Sequence, residues 1–362
     1  MKGIPKAGST DITRASIRGI VTAISPEDGL EPTQASLVGA LAASLFGDTT
    51  DVSSLEPISE SELADALEDT GAEQRHRIVH LMVLGELILR PIPTVVARRV
   101  ASYAEALRIE DKYVRIARRY SQGAFGLAWL DLERSGFAAH WEMARTDQLK
   151  ASVKLAGQLS AGVVDEQLAS RWASFAQMPA DSLGRSVLDM YEGRGFAIPG
   201  SEGGASAYLA QHDFVHVLAD YGTNLNGEIE TFSLIGRADP DPKGFAWLAT
   251  LIGLFETGYV ADAGFFSGDL EERRLDSTEM HVRLADALRR GAALCDTLGS
   301  DLLEIDYHDF VERPLDEVRA ELGFPPKSDD AIAAGSPGVF DPAGMSRIQQ
   351  QYAESMRETN VL

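Results

Sequence analysis

His212, Asp213 and His216 crowd into five positions of "AQHDFVHVLADYGTNLNGEIE" (210–230), and Glu228 follows after a break. Two imidazoles and two carboxylates are the usual donor types for zinc or for non-haem iron(II). The same side chains also make buried hydrogen-bonded clusters, so spacing has to discriminate. A helix over Tyr208 to Asp220 is predicted: Gly203 and Gly204 precede it, Ser206 can cap it, and Gly222 follows its end. His212 and His216 then share one face, with Cβ atoms ~6 Å apart, and Asp213 lies on its edge. Phe214, Val217, Leu218 and Tyr221 form the adjoining apolar face, which packs the core and holds the ligands rigid. Asp220, one turn beyond His216, is the expected hydrogen-bonding support behind them.

Glu228 cannot reach the others along one straight helix. Twelve residues at a helical rise would carry it ~18 Å beyond His216. The chain must therefore turn back, and "YGTNLNG" supplies the means: Gly222 tolerates a left-handed conformation, and Thr223 or Asn224 can cap a following helix. Glu228 is then expected in the first turn of an antiparallel helix, beside the other three.

The remaining histidines serve as a control. His76 and His80 are also four apart, but Arg75 and Arg77 flank the first and no carboxylate lies between them, so the pair reads as structural. His308-Asp309 reads as a local polar turn, and His140 and His281 stand alone. A metallohydrolase of the H-E-x-x-H type is disfavoured, because the general-base glutamate is replaced by the shorter Asp213. No other catalytic residue and no organic-cofactor motif emerges.

The elements that must position this constellation are helical. Helix patterns recur through "TQASLVGALAASLFG", "SESELADALEDTGAEQRHRIVHLMVLGELIL" and "PIPTVVARRVASYAEALRI", the second opened by a capping box at Ser59 to Glu62. No strand alternation longer than a few residues occurs. The expected fold is all-α, with two helical domains and the metal site lying between two antiparallel helices of the second. The expected boundaries are an N-terminal extension at 1–30, a helical bundle at 31–120, the metal-binding domain at 121–327, and a loosely attached tail at 328–362.

Composition excludes several partners. A net charge of −22 repels phosphate backbones and anionic lipid surfaces, so nucleic acid is not expected as a partner. Cys295 is the single cysteine, which rules out an intrachain disulfide and a multi-thiolate zinc site. The first residues show no apolar signal-peptide core, and a cytoplasmic protein is expected. The apolar stretch at 244–266 is interrupted by Glu256 and Asp262 and falls short of the ~20 residues that span a bilayer. It reads as a buried or cavity-lining helix, with peripheral membrane contact the less favoured alternative.

His212-Asp213-x-x-His216, eleven residues, then Glu228 resembles the H-D-x-x-H-x11-E signature of the coenzyme Q (ubiquinone) biosynthesis protein 4 family. Thr223 and Gly227 sit where that family has them, "DSLGRSVLDMYEGRGF" (181–196) resembles its approach to the site, and "DLLEIDYHDFVERPLDEVRAELGF" (301–324) its closing segment. The likeness covers roughly 150–327. The first bundle resembles the TerB-like helical fold of tellurite-resistance proteins through "LMVLGELIL" and "VASYAEALRI", and no functional residue is carried over from it.

The resemblance implies a zinc ion held by His212, Asp213, His216 and Glu228 near an apolar cavity, with iron(II) as the alternative metal. It implies oxidative decarboxylation and hydroxylation at the ring carboxyl position of a prenylated quinone precursor, or the same chemistry on another aromatic small molecule in specialised metabolism. A non-catalytic scaffold that binds such a lipid together with biosynthetic pathway proteins, its zinc structural, is the alternative of a different class. Self-association is left open.

Overall fold

Ser59 and Glu62 close the capping box that their spacing predicts: Ser59 Oγ accepts from the Glu62 amide, and Glu62 Oε2 accepts from the Ser59 amide at 2.9 Å. The helix they start is one of thirteen α-helices among the described residues, which contain no β-strand. The computed structural model describes residues 10–89, 91–111, 114–115, 164–205, 207, 209–241 and 274–360. The apolar stretch 244–266, the aromatic-rich segment 125–144, His140 and the expected cap Ser206 lie outside them.

In chain order the helices are α1 (Thr10–Ile24), α2 (Pro32–Leu41), α3 (Glu60–Ala66), α4 (Ala72–Leu87), α5 (Thr94–Ala106), α6 (Glu166–Ala173), α7 (Leu183–Arg194), α8 (Leu209–Ala219), α9 (Leu225–Ala238), α10 (Thr278–Leu298), α11 (Leu315–Leu322), α12 (Asp329–Ala333) and α13 (Arg347–Asn360). The expected N-terminal extension is part of the body from residue 10 onward. Ile17, Ile20, Ala23 and Ile24 of α1 are buried, and the helix packs on α3, α4 and α5.

The described residues share one apolar core cluster that runs from Ala15 to Val339. The longest helix, α10, links the two expected groups. It packs along α9 on one side and against α2 on the other, where His281 Nδ1 meets Ser36 Oγ at 2.8 Å. Gly291 permits the close approach to α9, since a Cβ there would stand 2.4 Å from the Leu234 carbonyl oxygen. The buried Arg283–Glu230 pair, 2.6 Å apart, fixes the register of α9 and α10. Arg77 of α4 donates to the Asp239 carbonyl just past α9, a second tie between the groups.

The C-terminal segment departs from expectation. It is docked rather than loose: the Thr223 and Asn224 amides donate to the Gly344 carbonyl at 2.7 and 2.9 Å, and Gln349 exchanges hydrogen bonds with Thr223. Polar, Gly/Pro-punctuated sequence hides such docking, because backbone hydrogen bonds carry no side-chain signal.

Glu86 on α4 is fully buried, and neither of its carboxylate oxygens has a hydrogen-bond partner. Burial pushes its carboxyl well above the ordinary 4.5. The folded chain therefore keeps a proton that the unfolded chain has lost, and stability falls as pH rises from about 4.5 toward the raised value. A fully linked proton is worth about 1.36 kcal/mol per pH unit. Asp239, raised to about 7 chiefly by burial and then by Asp301, adds to the same slope. Glu86→Met is expected to be more stable than wild type at neutral pH and to lose part of this slope. Urea unfolding at about pH 5 and pH 7 measures it, and an unchanged slope refutes the assignment.

Candidate metal centre

The helix carrying the two histidines ends where expected, though by another residue. Asp220 takes the left-handed conformation at φ 58°, and Tyr221 N bonds back to the His216 carbonyl. Gly222 is required for a different reason: a Cβ there would stand 2.6 Å from Gly344 Cα. Asn224 then caps α9, accepting from the Gly227 amide at 2.9 Å. Gly227 must also be glycine, since its Cβ would fall 1.9 Å from the Gly222 carbonyl oxygen. This tight turn folds α9 back so that Glu228, in its first turn, faces α8.

Three of the four expected ligands converge. Donor atoms of His212, His216 and Glu228 lie within 4.8 Å of one another; His216 and Glu228 are buried, and His212 is nearly so. His216 Nε2 stands 3.3 Å from Glu228 Oε1, and His212 Nε2 stands 3.6 Å from Glu228 Oε2. Ligands ~2.0–2.1 Å from a tetrahedral ion stand about 3.3 Å from each other, so these spacings suit a shared cation. They are long for hydrogen bonds, and the fully buried His216 Nε2 makes none. An orphaned imidazole nitrogen aimed at a carboxylate fits a metal-ligating role, whereas a satisfied polar cluster would pair it.

Asp213 stands beside this set. Its Oδ1 is 3.6 Å from His212 Nε2, and its Oδ2 accepts the Tyr191 hydroxyl hydrogen at 2.5 Å. Burial, followed by the neighbouring Asp213 charge, holds the Tyr191 phenol well above its usual range and keeps it a donor. Asp220 does not support the ligands. Its Oδ1 accepts from the Val339 amide, and its Oδ2 lies 3.9 Å from Lys327 Nζ, so it anchors the C-terminal segment. A left-handed backbone at the helix end aims its side chain away from the ligand face.

Electrostatics support an ionised Glu228. Burial works against its charge, but His216 and His212 outweigh that cost and hold the carboxyl down to about 2. Orientation comes from residues that the sequence reading did not single out. Thr231 Oγ1 lies 3.1 Å from His216 Nδ1, and a proton donated there from Nδ1 leaves the Nε2 lone pair directed at the centre. Thr231 lies three residues after Glu228 on the same face of α9, a periodicity that could have found it. Phe232 stacks on the His212 ring at 5.3 Å between centroids. Behind α8, Trp172 packs against Phe175, Tyr191, Phe214 and His308, so the supposed polar turn at His308 belongs to an aromatic wall.

A cavity of about 700 Å³ opens at the C-terminal end of α8, lined by Leu218, Arg290, Arg319, Phe324, Lys327 and Ser336 among others. None of the three converging residues lines it. Its cations are committed to main-chain carbonyls: Arg319 to Val217 and Leu218, Arg290 to Ala219 and Pro325. Among the described residues, no helix is long and apolar enough to cross a membrane. No family model, curated protein or solved structure matches the chain.

Proposed function

We propose that His212, His216 and Glu228 hold a divalent cation, zinc first and iron(II) second, and that the chain is an enzyme acting on a quinone-like or aromatic ring. The orphaned, fully buried His216 Nε2, 3.3 Å from an ionised carboxylate, carries this reading. Three protein ligands are the pattern of catalytic sites, which keep one position for water or substrate. When bound, such a cation supplies Lewis-acid stabilisation of charge on a ring carboxylate or phenolate oxygen. The expected reaction class is oxidative replacement of a ring carboxyl group by hydroxyl, as the motif's resemblance implies, with dioxygen as the two-electron oxidant and the carboxyl carbon leaving as carbon dioxide.

The chain's own residues have definable parts in this. Thr231 can accept the Nδ1 proton of His216, which frees Nε2 for the cation, and the Phe232 ring stacks on His212. Tyr191 holds one oxygen of Asp213 and leaves the other beside His212, placed to take or return a proton at the edge of the centre.

A second reading rests on the same Asp213 oxygen. A small side-chain rotation would bring Oδ1 into the shell as a fourth ligand, closing it in the manner of a structural zinc. The protein would then be a scaffold for a prenylated quinone precursor and for pathway proteins. A prenylated hydroxybenzoic acid labelled at the ring carboxyl separates the two, offered under air to zinc- and iron(II)-loaded protein. Release of labelled carbon dioxide supports the enzyme, saturable quenching of tryptophan fluorescence without release supports the scaffold, and neither signal overturns both.

A further inference from the structure

His76 and His80 are set aside by sequence because two arginines flank the first and no carboxylate lies between them. The fold changes both terms. Arg75 and Arg77 turn to the carbonyls of Thr70 and Asp239. A carboxylate arrives from 31 residues beyond His80. After α5 the chain reverses at Arg108, whose φ is 58°, and Ile109 N bonds to the Ala104 carbonyl. That reversal brings Asp111 against α4, its Oδ2 2.5 Å from His76 Nε2 and 2.9 Å from His80 Nε2.

We propose that His76, His80 and Asp111 form a second divalent-cation site, separate from the centre on α8 and α9 and open to solvent on the His76 side. One atom from each residue points to a common place, and the three lie within 4.8 Å of one another. The side chains of His80 and Asp111 are 3% and 5% exposed and that of His76 24%, so His76 is the member of the set that reaches solvent. The rings are 4.6 Å apart and tilted by 52°, so both nitrogens of the pair can address one ion from an i, i+4 position. Two imidazoles and one carboxylate suit zinc, cobalt, nickel or iron(II) and not magnesium or calcium, which prefer all-oxygen shells.

The present contacts are hydrogen-bond lengths, shorter than the about 3.3 Å between ligands of a tetrahedral ion. Binding therefore replaces the protons shared with Asp111 and moves its carboxylate outward by roughly half an ångström. Each neutral imidazole keeps its single proton, which moves from Nε2 to Nδ1 as the cation enters. The cation would fasten the exit of α5 to α4.

Chelator-stripped full-length protein, equilibrated with zinc and freed of excess by gel filtration, tests the site by elemental analysis. Wild type is expected to retain about one zinc per chain more than Asp111→Asn or His76→Ala. In the His216→Ala background, zinc is expected to raise the unfolding temperature, and adding His76→Ala is expected to abolish the rise. His76 is partly exposed, so its variant decides the matter should Asp111→Asn fold poorly. Equal zinc in wild type and His76→Ala overturns the proposal, whatever the α8–α9 centre does.

Discussion

Glu228→Gln is expected to lose the cation of the α8–α9 centre while keeping the fold. The substitution preserves shape and removes the single charge that His212 and His216 both face at 3.6 and 3.3 Å. A cation bound at a thousand times its dissociation constant stabilises the folded state by about 4.1 kcal/mol, and a chelator removes that amount. The chelator-induced loss should therefore appear in wild type and vanish in Glu228→Gln. His216→Ala should behave alike, with an additional cost from the cavity left by a fully buried ring. Measuring all three by urea unfolding in the Asp111→Asn background confines the readout to this centre. A wild type whose midpoint ignores chelator, with no bound metal by elemental analysis, would reduce the constellation to a buried polar cluster. The enzyme reading would fall with it.

Trp172→Ala should cost about 3–5 kcal/mol, the range for deleting a buried aromatic ring. Trp172 is 1% exposed, and its ring centroid lies 4.9 Å from Tyr191, 5.3 Å from Phe175 and 5.4 Å from Phe214. Two of those rings connect to the centre. Phe214 lies on α8 between the histidines, and Tyr191 donates to Asp213. The cavity should therefore weaken metal retention as well as stability, whereas Trp172→Phe, which keeps a ring, should recover most of both. Urea midpoints and zinc affinities across the three proteins measure this. A loss below about 1 kcal/mol would mean that neighbouring rings collapse into the space, and that the wall does not hold the ligand helix.

The two ligand helices and the turn between them were legible in the sequence because their causes are local. A four-residue spacing places His212 and His216 on one face, Asn224 caps the next helix, and twelve residues with a break suffice to return Glu228 to them. The all-α character follows from the same short-range periodicity. Tertiary structure decided what depends on chain return over longer distances. Asp111 reaches His76 and His80 only because Arg108 reverses the chain after α5, and no local pattern at either end announces it. Tyr191 meets Asp213 across two packed helices, and the C-terminal segment grips the Gly222–Asn224 turn through main-chain hydrogen bonds that any residue type can make. Asp220, read from helical phase as support for the ligands, sits where the helix has already ended. One left-handed residue there was enough to turn its carboxylate to Val339, since phase carries no information past the last helical hydrogen bond.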